Sequence, residues 1–313
     1  MKTFSKPVIC CGFSPCVQRI LEFRQLEKGK VNRTGRVTVN IGGKGANTAR
    51  MVKQLGDVPL LLGFSGGANG RLLERMLKAE GVDFRHVEAA GETRICQTLV
   101  EEGYPETTEL VEEMPPITLQ EWNRMRELFT ACDLSGAIVA VSGRLPAGAP
   151  VDGYAQLCRE VRERDGRVIL DTVGAPLKSA LKEEPDLVKM NDEELHQTTG
   201  ADEVTVGCRA LLNGGARAVL ITRGSRSIFF ADGSRTLEIL PPEIEAVNPV
   251  GSGDAVTAGV AAAMNRGEAL AEAVMNGIAC GAANALNLLS GYLNPDDVER
   301  LKPDVRVVNS SPN

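Results

Sequence analysis

Two glycine-rich stretches, Asn40–Gly56 and Asn248–Gly259, hold the residue types best suited to chemistry. The second reads NPVGSGDAVTAG and sets one acid, Asp254, directly after a turn almost free of side chains. A helix starting near Ser252 turns its unpaired first N–H groups and the positive end of its dipole toward whatever lies before it. Glycines at 251 and 253 let a ligand approach that backbone closely, so Gly251, Ser252 and Gly253 make an anion hole. A carboxylate beside a site for negative charge repels the ligand in the ground state and so needs a purpose. The natural one is a general base, with Asp254 deprotonating a hydroxyl that attacks an electrophilic phosphate. The alternative is an acid that only stabilises its own helix.

The first stretch, NIGGKGANTARMVKQLG, also runs from a strand into a helix. It lacks the G-x-x-x-x-G-K-[ST] spacing of a P-loop. Gly42 and Gly43 let backbone approach a ligand, while Lys44 and Asn47 can donate to hydroxyls or phosphate. A tight strand-to-helix turn with no ligand explains the same glycines.

Such residues need a scaffold. From Gly136 onward, short apolar runs (AIVAVSG, RVILDTVG, DLVKMN, AVLITRG) alternate with amphipathic helical segments. That alternation predicts a parallel sheet covered on both faces, an α/β fold. The first third differs. PVICCGF reads as a buried strand, but GRVTVNIGG alternates apolar and polar residues, and TRICQTLVEE and TELVEEM resemble further half-exposed strands. These predict a small β layer standing off the main sheet, drawn from about residues 16–41 and 91–114, within a single domain spanning 1–313. Helices are expected over Gly45–Gly56, over Asn69–Glu80 and from Ser252, the last showing Ala255, Ala258, Gly259 and Ala262 on one small face.

Bulk properties exclude several classes. The 313 residues are 43% hydrophobic and 24% charged, with a net charge of −6 and no dense basic block, which argues against a nucleic-acid surface. No apolar run reaches the roughly 20 residues of a membrane span, and the first residues lack a signal-peptide pattern. The eight cysteines are scattered without a C-x-x-C pair and read as small core hydrophobes of a cytoplasmic protein. Neither His86 nor His196 lies in a cluster that suggests a metal.

With both stretches in view, the sequence resembles the ribokinase-like (PfkB) carbohydrate kinases. GGKGANTARMVKQLG is similar to the family's N-terminal signature and NPVGSGDAVTAG to its C-terminal one, while VSGRLPAG, LDTVG, VKMNDEEL and ITRGSRS fall between them in family order. The resemblance implies a three-layer α/β/α fold, a mostly parallel central sheet with a β-sheet lid, and transfer of the ATP γ-phosphate to a sugar hydroxyl with Mg²⁺. The segment GKVNR and the ending of GETR resemble the 1-phosphofructokinase and tagatose-6-phosphate kinase branch. That likeness implies Lys30 and Arg94 as the cations for a phosphate already on the sugar. It also implies Asn191 and Glu194 for Mg²⁺ and phosphate, Lys189 for nucleotide phosphates, Thr222 and Gly224 beside the nucleotide, and Asn284 near the adenine or ribose. NDEEL reads equally as a helix cap with acids in its first turn, and the two readings are compatible.

The sequence departs from the family on the sugar side. Gln18 stands where the family has an Asp that binds sugar hydroxyls, and Arg144 where it has a Ser. The expectation is a kinase of a fructose 1-phosphate, fructose 6-phosphate or tagatose 6-phosphate type of acceptor, with Arg144 joining Lys30 and Arg94 in a clamp for the phosphate. The rivals are a kinase of an unphosphorylated sugar or nucleoside, and a sugar-binding or regulatory protein with residual kinase features. A homodimer through the lid is left open.

Overall fold

The computed structural model describes residues 6–104 and 107–312. Ten strands form the main sheet, edge to edge in the order β14 (Arg306–Pro312), β13 (Arg235–Leu240), β12 (Ile228–Asp232), β11 (Ala218–Thr222), β10 (Leu187–Asn191), β9 (Arg167–Asp171), β8 (Ile138–Ser142), β1 (Val8–Cys11), β4 (Pro59–Ser65) and β5 (Asp83–Glu88). Pairing is parallel from β5 to β11 and antiparallel from β11 to β14.

The central strands VICC, PLLLGFS and IVAVS are buried along their whole length, because helices cover both faces. Alternate residues divide between two cores. Val8 and Cys10 pack with α1 (Lys44–Gln54), α8 (Ser252–Asn265) and α9 (Leu270–Ala285), while Ile9 and Cys11 pack with α3 (Leu119–Thr130) and α4 (Gly153–Arg162). This is the ribokinase-like three-layer arrangement. All eight cysteines are buried and unpaired, as small core hydrophobes should be.

α8 differs from its sequence reading. It is buried on every side from Asp254 to Met264 rather than along one small face. The cause is α9, which crosses so closely that a Cβ on Gly259 would stand 2.8 Å from the Gly277 Cα.

The second sheet is the lid. Its order is β3 (Arg36–Gly42), β2 (Cys16–Phe23), β6 (Ile95–Glu101), β7 (Thr107–Val111). Gln18 and Cys96 are paired on its inner face, and Val37, Val39 and Leu110 are exposed on its outer one.

Candidate active site

The C-terminal ends of β10 and β11, the starts of α1 and α8 and the inner face of the lid surround a cavity of about 780 Å³. That is where parallel α/β sheets place ligands, and the volume suits small molecules.

At its floor, Gly251 caps α8 with φ of 86°, a left-handed conformation that favours glycine. Asp254 follows in the first turn, 6% exposed, and its Oδ2 accepts from Asn47 Nδ2 at 2.8 Å. Burial, then the charge of Asp171, pushes the Asp254 carboxyl up to about 6, against the pull of Lys44, Lys189 and the Asn47 amide. A carboxylate tuned to that value is suited to take a proton near neutrality.

Beneath it lies a charge network. Asp171, 1% exposed at the end of β9, accepts from Lys44 Nζ and from Lys189 Nζ, each at 2.7 Å. Burial opposes charge on Asp171, but Lys189 and Lys44 outweigh it and hold the carboxyl at about 2. Burial likewise opposes charge on Lys44, while Asp171, Glu194 and Asp254 outweigh it and keep the ammonium above the ordinary lysine range. Lys44 therefore lines the cavity with its charge already shared by Asp171 and Glu194, the latter at 3.3 Å. Lys189 reaches the glycine turn: a Cβ on Gly253 would lie 2.6 Å from its Nζ. Glycine there lets an ammonium and a row of backbone N–H groups face one anion, as a nucleotide's phosphates require.

Asn191 and Glu194 form a capping box at the start of α6 (Asp192–Thr199). The Asn191 side chain accepts from Glu194 N at 2.7 Å, and Glu194 Oε2 accepts from Asn191 N at 3.0 Å. Both residues line the cavity, so the cap and a ligand role coexist. Among the described residues, no group of three or more His, Cys, Asp or Glu is placed to hold a metal. Thr222 and Gly224 line the far end, which is walled by Ile228, Ile244, Val250, Ile278 and Ala282. An apolar slot thus lies next to the glycine turn at the start of α8.

Four of the expected site residues lie outside the cavity lining. Asn284 does not line the cavity. It is fully buried behind the turn, where its Nδ2 donates to Val250 O at 3.0 Å and Ser252 Oγ at 3.3 Å. It holds the turn in shape. Gly42 also lies outside the cavity lining, pressed against Cys16 and Gln18, whereas Gly43 and Asn47 line it. Lys30 is 68% exposed and paired with Glu27, and Arg144 is 81% exposed with its Nη1 3.6 Å from Glu113. Neither lines the cavity, and each is paired with a nearby acid on the surface. Arg94 does line it, anchored by two hydrogen bonds to Ser14 O and one to Glu112 O.

Gln18 lines the cavity with its amide engaged. Its Oε1 accepts from Ser290 Oγ at 3.0 Å and its Nε2 donates to Thr98 Oγ1 at 2.8 Å. Sequence reasoning missed Asp171. A lone acid ending the apolar run RVILD, at the C-terminal edge of a parallel strand, was the available signal.

The sequence matches the pfkB family of carbohydrate kinases over residues 13–296. Among solved structures, phosphofructokinase-2 of Escherichia coli with potassium is 25% identical, with a TM-score of 0.89 over 96% of this chain and 99% of that one. The same enzyme with fructose-6-phosphate aligns at 25% identity and a TM-score of 0.86, over 96% and 99%. Ribokinase of Arabidopsis thaliana, with ribose and ATP, shares the fold at 19% identity and a TM-score of 0.74, over 95% and 99%.

Proposed function

The chain belongs to the pfkB family of carbohydrate kinases, and we propose that it transfers the γ-phosphate of ATP to a hydroxyl of a sugar phosphate, of the fructose 1-phosphate, fructose 6-phosphate or tagatose 6-phosphate type. One observation carries this reading: a buried carboxylate raised to about 6, fixed by Asn47, in the first turn of a helix whose start is an anion cradle.

The acceptor hydroxyl gives its proton to Asp254 as its oxygen attacks the γ-phosphorus and the bond to ADP breaks. The N–H groups of Gly251–Gly253 and the Lys189 ammonium stabilise charge on the phosphoryl oxygens. Asp171 holds both lysines in place. Arg94 takes the phosphate already on the acceptor. Mg²⁺, when bound, neutralises the nucleotide phosphates. Asn191 and Glu194, which both line the cavity, would hold it.

The lid's outer face, with Val37, Val39 and Leu110 exposed, supports a homodimer through the lid. The unpaired cysteines suit the cytoplasm. A neutral sugar as acceptor is the second reading, favoured by the placement of Lys30 and Arg144 outside the cavity.

The test is ADP release by the purified protein with ATP and Mg²⁺ across sugars and sugar phosphates. A ketose phosphate should be the best acceptor, and Asp254→Asn should lose roughly a thousandfold or more in kcat while still binding ATP. A neutral sugar as best acceptor selects the second reading. Acceptor-independent ADP release alone overturns both.

A further inference from the structure

β7 carries a carboxylate into the sugar end of the cavity that no step above uses. Glu109 lines it together with Gln18, Arg94, Cys96 and Val111. Strand register explains the placement. Thr98 lies between Ile20 of β2 and Glu109 of β7, and Cys96 between Gln18 and Val111, so all project from one face of the lid.

A directed chain of hydrogen bonds ends on this group. Ser290 Oγ donates to Gln18 Oε1 at 3.0 Å, Gln18 Nε2 donates to Thr98 Oγ1 at 2.8 Å, and Thr98 Oγ1 donates to Glu109 Oε1 at 3.4 Å. A hydroxyl has one proton to give, so Thr98 is committed to the carboxylate once it accepts from Gln18. Gln18 is held at both ends of its amide, which leaves it poorly free to follow a ligand. Glu109 is the opposite case: its Oε2 has no hydrogen-bond partner among the described residues. Arg94 and Glu109 act on the Cys96 thiol with opposite sign, so a cation and an anion flank that position.

We propose that Glu109 is a specificity-determining residue that accepts a hydrogen bond from one hydroxyl of the acceptor, while Arg94 takes the acceptor's anionic end. The inference rests on the sugar-phosphate kinase reading. A carboxylate repels a phosphate and binds a hydroxyl by a charge-assisted hydrogen bond, so the two lid groups orient the acceptor as well as hold it. Glu109 is exposed and its Oε1 is already engaged by Thr98, so an analogue that lacks the hydroxyl forfeits the bond to Oε2 and with it a charge-assisted contact.

The experiment compares wild type, Glu109→Ala and Glu109→Gln on the best ketose phosphate and on its single-deoxy analogues. In wild type, one deoxy analogue should lose roughly 10- to 100-fold in kcat/KM. Glu109→Ala should lose a similar factor on the parent sugar and nothing further on that analogue, with KM for ATP and Tm unchanged. Glu109→Gln, whose amide oxygen still accepts, should recover part of the loss. Equal losses on parent and analogue in Glu109→Ala, or no loss on either, overturn the assignment while leaving the kinase reading intact. Failure of the wild type to phosphorylate any ketose phosphate overturns that reading, and this assignment with it.

Discussion

Asn47 Nδ2 donates to Asp254 Oδ2 at 2.8 Å, joining two glycine clusters that lie 207 residues apart in the chain. The amide holds the carboxylate in one orientation and favours its charged form, opposing the burial that raises it. Asn47→Ala removes that donor without touching the phosphate cradle. Its kcat should fall roughly 10- to 100-fold, with KM for ATP little changed. The acid limb of its rate profile should move to higher pH, because the charged base loses a stabilising contact. A kcat within twofold of wild type would show that the amide is incidental to the base.

The wild-type profile has a definite sign. As the proposed base, Asp254 would act only when ionised, and its carboxyl is raised to about 6. Activity should therefore be lost as pH falls through that value, with a slope near tenfold per pH unit, and a plateau should lie above it. Rates measured in constant-ionic-strength buffers from pH 5 to 8 check this. A profile flat down to pH 5 would place the base elsewhere or leave its carboxyl unshifted.

How legible was this in the chain? The glycine turn into α8 was, because Gly251, Ser252, Gly253 and Asp254 are local turn chemistry at the start of a helix. So was the parallel part of the sheet, whose buried strands appear as unbroken apolar runs. Asn284 carried no local signal for its true place, since the α8–α9 crossing decides that it backs the turn. Lys30 and Arg144 sit on exposed loops, where a long side chain takes whichever acid is near, and no sequence pattern fixes which one. The antiparallel edge had a cue: Asp232-Gly233 between β12 and β13 is a hairpin signal. The strand–helix alternation before it gave no hint that the sheet changes direction.

The base should also cost stability. In the folded protein Asp254 titrates near 6, above its ordinary value of 3.8, so the folded state binds the proton more tightly than the unfolded chain does. Stability from this group is present below about pH 4 and is lost as pH rises through about 6, on the order of 3 kcal/mol at most. Asp254→Asn removes the buried charge, and its new amide oxygen can still accept from Asn47. This inactive variant should melt higher than wild type at pH 7.5, with the gap narrowing toward pH 5. Thermal unfolding at the two pH values checks it. A lower Tm for Asp254→Asn at pH 7.5 would mean that the charged carboxylate contributes more to the fold than its burial costs.

Arg94 lines the cavity and Arg144 does not, and kinetics should separate the two. Arg94 lines the sugar end with its guanidinium fixed by Ser14 and Glu112 carbonyls, so little rotamer freedom remains to be lost on binding an anion. Arg144 is paired with Glu113 at 3.6 Å, with 81% of its side chain in solvent, where such pairs contribute little. Arg94→Ala should raise KM for a sugar phosphate roughly 10- to 100-fold, the loss expected on removing a charge-assisted contact, and should leave KM for ATP unchanged. Arg144→Ser should leave both within about twofold, as substitutions far from a site do. Initial-rate kinetics with each substrate varied in turn makes the comparison. A larger rise in acceptor KM from Arg144→Ser than from Arg94→Ala would reverse the assignment, and would mean that the lid closes far enough to draw Arg144 away from Glu113 onto the acceptor.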